Sequence, residues 1–218
     1  MTDNHSKDNS RTSEVVGRTS PDEQALYFKQ RKYVILRRLL NEPEVSLYHN
    51  RAIMLLRSGR MRPDRQVPNT PASYGEMDSL LTKLLPQAEK TSGLRLYPTY
   101  SYFRVYKSGD ILKKHVDRPA CEISLSLNLG SKSTSAWPLW IATPTDNVSV
   151  ELEAGDAVMY RGRECLHWRE PFTGEEAVQV FLHYVDQTGP YAEWKFDKRK
   201  SSRLSTGVWS ERRVLILI

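Results

Sequence analysis

Polar and apolar positions divide the chain into two textures. Residues 1–19 are polar and without period, a pattern that predicts a disordered N-terminal segment. Order is expected from Ser20-Pro21-Asp22-Glu23. Ser20 can cap a helix, Pro21 suits its first position, and Glu23 completes a capping box. That helix is expected to run to about Gln30, and Tyr33-Val34-Ile35-Leu36 then reads as a strand. Asn41 can open a second helix with Val45, Tyr48, Ala52, Leu55 and Leu56 on one face, ending near Gly59. The stretch RMRPDRQVPNTPASYG holds three prolines and predicts a loop. Met77, Leu80, Leu81 and Leu84 predict a third amphipathic helix, closed by Pro86.

After Gly93, β-branched and aromatic residues dominate, and turn signals recur at Ser108-Gly109-Asp110, Leu129-Gly130-Ser131, Asp146-Asn147, Gly155-Asp156 and Thr173-Gly174. Between them lie eight expected strands, near 100–106, 111–116, 122–129, 137–143, 148–153, 157–161, 165–169 and 176–185. Short strands at this spacing make a sandwich or barrel. Helices first and strands afterwards argue an α+β protein, mainly β, with the helices packed on one side of the β core.

Length and charge refine this picture. A chain of 218 residues with 39% hydrophobic positions can bury a core without staples. One folded domain over 20–200 is expected, with a C-terminal extension over 201–218. The net charge is +6, yet seven basic and only two acidic residues lie between 195 and 213. The rest is close to neutral, so nucleic acid is not the expected partner. Cys121 and Cys165 are the only cysteines, and no apolar run approaches a membrane span. Reduced thiols and a cytoplasmic protein with no membrane association are expected. Nothing in the sequence indicates an oligomeric state.

The chemistry gathers around two histidines and an aspartate. His115 and Asp117 stand two apart in a strand-like stretch, so their side chains share a face. His167 follows on another expected strand. Two imidazoles and a carboxylate can hold Fe(II) on one side and leave positions open; zinc can use the same donors with water.

The order of these pieces, YFRVYKSGDILKKHVDRP, CEISLSLNLG and GDAVMYRGRECLHWREPFTGEEAVQVFLHYV, resembles the Fe(II)- and 2-oxoglutarate-dependent dioxygenases of the prolyl-hydroxylase-like branch, over roughly residues 30–195. The resemblance implies a double-stranded β-helix, a jelly-roll or cupin-like core, with the N-terminal helices on one sheet. It implies His115, Asp117 and His167 as catalytic iron ligands, and Fe(II), 2-oxoglutarate and O2 as cofactors. The implied reaction decarboxylates 2-oxoglutarate to succinate and hydroxylates an unactivated C–H bond. Halogenases resembling this family carry a small residue at the carboxylate position, so Asp117 favours hydroxylation or a related oxidation.

One departure from the family pattern matters. The family usually has an arginine or lysine nine to twelve residues after the distal histidine, gripping the far carboxylate of 2-oxoglutarate; here those positions read Glu176, Ala177, Val178 and Gln179. Replacement anchors are Arg104 and Tyr106 on the strand before the metal motif, Arg169 beside the distal histidine, and Gln179 as a neutral partner, with Arg161 and Arg163 held in reserve. Arg118 is expected to meet a substrate carboxylate. The substrate is expected to be a small polar molecule, a free amino acid or a peptide-borne side chain. A metal enzyme on the same scaffold that does not use 2-oxoglutarate, and a binding module acting through the basic tail, stay open.

Overall fold

A computed structural model describes residues 20–68 and 70–199. The expectations for 1–19 and 201–218 therefore lie outside the described residues. Three helices, α1 (Pro21–Arg31), α2 (Glu42–Arg57) and α3 (Asp78–Ser92), precede most of the β structure. Both expected caps are formed. Glu23 N donates to Ser20 Oγ at 3.3 Å, and Glu44 N donates to Asn41 Oδ1 at 3.0 Å. In each case the glutamate reaches back to the cap's own N–H, closing a capping box.

The strands are β1 (Tyr33–Leu36), β2 (Arg62–Pro63), β3 (Pro71–Tyr74), β4 (Leu96–Lys107), β5 (Leu112–His115), β6 (Ile123–Lys132), β7 (Leu139–Ala142), β8 (Asn147–Val150), β9 (Ala157–Tyr160), β10 (His167–Arg169) and β11 (Glu176–Asp186). They form a seven-stranded sheet in the order β1-β9-β6-β11-β4-β3-β2 and a four-stranded sheet in the order β5-β10-β7-β8. Each of their pairings is antiparallel.

Period-two alternation explains the layering. On the larger sheet, Phe103, Val105, Ile123, Leu125, Leu127, Met159, Val178, Val180 and Leu182 bury one face under Phe28 of α1, Ala52 and Leu55 of α2, and Leu80, Leu81 and Leu84 of α3. The opposite face carries Tyr100, Tyr102, Tyr106, Val158, Tyr160, Ala177 and Phe181, and meets Leu112, Leu139, Ile141, Val148 and Val150 of the smaller sheet. Two facing antiparallel sheets with helices on one outer face are the expected double-stranded β-helix. The polar members of the inner face, Ser124, Ser126, Asn128, Gln179 and His183, are buried between the sheets.

Several boundaries differ from expectation. Helix α3 does not close at Pro86 but continues through it to Ser92. A proline at this depth costs about 3 kcal/mol. Burial of Ala88, Thr91 and Ser92, and the left-handed Gly93 cap whose N–H reaches Glu89 O, offset that cost. The proline-rich stretch read as a loop contains β2 and β3. Its prolines are tolerated because Pro63 and Pro71 face each other in the outermost pair of the sheet, where an absent N–H breaks no inner ladder. Strand β4 begins at Leu96, four residues before the expected start, across Pro98.

Candidate active site

Strand β10 carries the distal histidine against β5, with His167 opposite His115 in the register. Strand β5 ends at His115, and Asp117 follows just beyond it, not within it as expected. Asp117 is held instead by its N–H to Gly162 O at 2.8 Å. The result is a compact group in which His115, Asp117 and His167 each offer one donor atom, all within 4.8 Å of one another. Asp117 Oδ1 stands 3.6 Å from His115 Nε2 and 3.6 Å from His167 Nε2.

The surroundings prepare these atoms for a metal. His115 Nδ1 lies 2.8 Å from Lys113 O, and His167 Nδ1 lies 3.0 Å from Cys165 O. Carbonyl oxygens only accept, so each Nδ1 donates and each Nε2 is the ring atom turned to Asp117. The second Asp117 oxygen accepts from Ser124 Oγ at 2.8 Å, and Ser124 Oγ lies 2.9 Å from His183 Nδ1. With the hydroxyl proton given to the carboxylate, His183 donates to Ser124. Burial opposes ionisation of Asp117, but hydrogen bonds from the facing His115 and His167 rings override it and hold the carboxyl well below the usual carboxylate range. Gly162 keeps this corner open: a Cβ there would overlap Asp117 Oδ2 and stand 2.5 Å from Cys121 O. Two imidazoles whose Nε2 atoms a metal would claim in place of protons, beside an ionised carboxylate, suit Fe(II).

A second group, Asp117, Cys121 and His183, is equally tight. Its chemistry is poorer. Burial pushes the Cys121 thiol well above its ordinary range, and Tyr100 OH lies 3.0 Å from its sulfur. Burial also pulls the His183 imidazole down to about 4, so it is neutral. His183 sits at an irregularity in the β11–β4 ladder, against the rings of Tyr100 and Tyr102.

The four residues expected to hold a cosubstrate lie together on the inner face. Gln179 pairs with Arg104 and Ala177 with Tyr106 across β11 and β4. The two arginines differ. Arg104 is 2% exposed and forms an ion pair with Asp64 at 3.0 Å, while donating to Tyr106 OH at 2.8 Å and Gln66 Oε1 at 2.5 Å. Its charge already has a partner. Arg169 is also 2% exposed. Its guanidinium donates to Trp137 O at 2.5 Å and Gln179 Oε1 at 3.4 Å and lies 4.6 Å from the Trp137 ring centre. No carboxylate among the described residues pairs with it, and its Nε has no hydrogen-bond partner. Burial therefore pulls the guanidinium down to about 10.

Towards solvent, Arg118 turns to the rim, donates to Asp197 Oδ1 at 2.7 Å and lies 4.4 Å from the Tyr100 ring centre. Arg163 Nη1 donates to Asp117 O at 2.8 Å, and Arg161 pairs with Glu164 at 3.0 Å. Sequence reasoning missed Ser124, Gly162 and the Asp64 partner of Arg104. The polar alternation Ser124, Ser126, Asn128 opposite Ile123, Leu125, Leu127 is a readable sign of a polar inner wall.

No protein-family model matches the sequence, and no curated protein matches it. Solved structures do. The non-heme alpha ketoglutarate dependent epimerase SnoN from nogalamycin biosynthesis aligns at TM-score 0.66 and 16% identity, over 76% of this chain and 82% of that one. A Pseudomonas putida prolyl-4-hydroxylase aligns at 0.64 and 15%, over 76% and 98%. The chain has the fold of the 2-oxoglutarate and iron-dependent oxygenases. HygX from Streptomyces hygroscopicus, solved with nickel, 2-oxoglutarate and hygromycin B bound, aligns at 0.60 and 11%, over 76% and 87%. At these identities the likeness fixes the oxygenase fold and leaves the chemistry to the site. Among the described residues no helix is long and apolar enough to cross a membrane.

Proposed function

We propose that the protein is an Fe(II)- and 2-oxoglutarate-dependent oxygenase that hydroxylates a C–H bond of a small polar substrate. The observation that carries this reading is Arg169, a buried guanidinium with no carboxylate partner among the described residues, two residues beyond the distal histidine of the triad. Burying an unpaired charge is costly, and a ligand carboxylate removes most of that cost. 2-Oxoglutarate brings such a carboxylate at the far end from its chelating atoms. Fold neighbours solved with 2-oxoglutarate bound support the same assignment.

His115, Asp117 and His167 would hold iron, which supplies when bound the oxidation of a C–H bond by O2, coupled to decarboxylation of 2-oxoglutarate to succinate. The chain's own part is positional. Lys113 O and Cys165 O fix the tautomer of the two imidazoles, and Ser124 orients the Asp117 carboxylate. Arg169 takes the far carboxylate of the cosubstrate, with Gln179 at its side and Tyr106 nearby. Arg104, neutralised by Asp64, stiffens this wall and does not compete for the anion. Arg118 and Arg163 flank Asp117 on the solvent side and meet the substrate.

Incubation of the full chain with iron, O2 and 2-oxoglutarate tests the reading. Succinate release that needs all three is expected. Arg169→Ala is expected to raise the KM for 2-oxoglutarate about tenfold or more, about 1.4 kcal/mol or larger, with iron affinity unchanged. Metal binding with no 2-oxoglutarate binding would reduce the assignment to the fold.

A further inference from the structure

The solvent side of the triad opens into a groove of about 1190 Å³ between the β2–β3 hairpin, the inner face of β4 and the segment after β5. Its wall holds Arg60, Arg62, Arg65, Arg118 and Arg163 as well as Arg104, against three acids, Asp64, Asp117 and Asp197. Each acid is committed. Asp64 is engaged by Arg104 and by the N–H groups of Gln66 and Val67. Asp117 belongs to the triad, and Asp197 sits on Arg118. Arg60, Arg62, Arg65 and Arg163 pair with no carboxylate among the described residues. Four like charges gathered on one concave wall raise its potential, and a bound anion relieves it.

The hairpin that presents Arg62 and Arg65 is pinned. Asp64 N donates to Thr70 O at 2.9 Å, Thr70 N to Val67 O at 2.8 Å, and Thr70 Oγ1 to Asp110 Oδ2 at 2.5 Å. A backbone held at Asp64 and Thr70 loses little entropy there on binding. At the same mouth Tyr74 is 60% exposed, although its ring is stacked on Tyr102 with centroids 5.2 Å apart and planes 17° apart. Its inner side is held, so the exposed side is a ready platform for one flat ring.

We infer that the substrate is an organic oxyanion carrying a flat ring, its phosphate or carboxylate held by Arg62 and Arg65 and its ring stacked on Tyr74. This deepens the oxygenase reading and rests on it. An arginine wall beside tyrosines also suits single-stranded nucleic acid, which stacks successive bases. Tyr100 and Tyr102 are only 9% and 8% exposed, leaving a platform for one ring, not a series.

The test is calorimetric titration of the full chain loaded with nickel and 2-oxoglutarate, a combination that binds without turnover. Probes are phenyl phosphate, phenylacetate and the neutral 2-phenylethanol. Both anions, or the one whose oxyanion is recognised, are expected to bind about tenfold or more tightly than the alcohol. That preference is expected to vanish in Arg62→Ala/Arg65→Ala, whose two side chains are exposed and make no hydrogen bond or ion pair among the described residues, while Tyr74→Ala weakens anion and alcohol alike. The tighter anion identifies phosphate or carboxylate as the recognised group. Neutral and anionic probes binding alike, neither anion binding, or a preference that survives in the double variant would overturn the inference. A short oligothymidylate binding about tenfold more tightly than phenyl phosphate would overturn it in favour of a nucleic-acid strand. Metal and 2-oxoglutarate are titrated first into the wild-type chain, so a failure of the oxygenase reading appears there and separately.

Discussion

Arginines stand on both sides of the triad, and the two sides differ in what they imply. At the inner end Arg169 is buried, with a lowered pKa and no anion among the described residues. At the mouth Arg62, Arg65 and Arg118 are exposed. An exposed arginine is solvated and costs the fold almost nothing, so one alone carries no message. A buried, unpaired one is a standing penalty that a purely structural residue would avoid. The inner end therefore argues from a single residue, while the mouth argues only from arginines gathered around one groove and one exposed ring.

The sharpest break in this comparison removes what lies between the two ends. His115→Ala, Asp117→Ala and His167→Ala are each expected to abolish succinate formation and strongly weaken iron binding, with circular dichroism unchanged. An active variant would remove that residue from the ligand set. Next, Arg104→Ala strands Asp64 beside the inner wall and is expected to cost about 3–5 kcal/mol in denaturant unfolding. Arg169→Ala should cost far less stability, or none, in the absence of 2-oxoglutarate. Equal losses would mean that the two buried arginines do the same work.

Acid sensitivity follows in size. The folded His183 pKa is depressed to about 4 from an ordinary 6.5. The unfolded chain thus binds the extra proton between these values, and stability present above about pH 6.5 is lost as pH falls towards 4. The loss is about 3 kcal/mol at most, read as a fall in Tm of the metal-free chain. His183→Phe should flatten that part of the profile. The smallest effect is salt. Raising ionic strength should weaken anion binding at the mouth several-fold and barely move the KM for 2-oxoglutarate, because screening reaches exposed charges first. Equal salt dependence would erase the distinction.

Two kinds of strand were legible: the short apolar run Tyr33–Leu36 is β1, and Ile123–Leu127, which alternates cleanly, buries its apolar face as its period demands. The triad was legible because residue type and order carry it. Arg104 and Arg169 looked equivalent in sequence because their difference lies in Asp64, forty residues before Arg104 and on a stretch dismissed as loop. Pro63, Pro71 and Pro86 misled in one way. Each local rule about proline was overridden by its place, at a sheet edge or within a helix buried on its far side. Gly162 had no sequence signal, since what it makes room for is an oxygen of Asp117 from another segment.

The paired Pro63 and Pro71 have a consequence beyond the fold of one molecule. An outer strand is a template on which another chain can add itself, and long flat edges invite runaway polymerisation. Here the terminal strand β2 is two residues long, one a charged arginine and the other proline. An incoming strand finds too few free N–H and C=O groups to zip against. This margin of the larger sheet is therefore sealed against fibre growth, and Pro63→Val is expected to shorten the lag of thermal aggregation measured by light scattering.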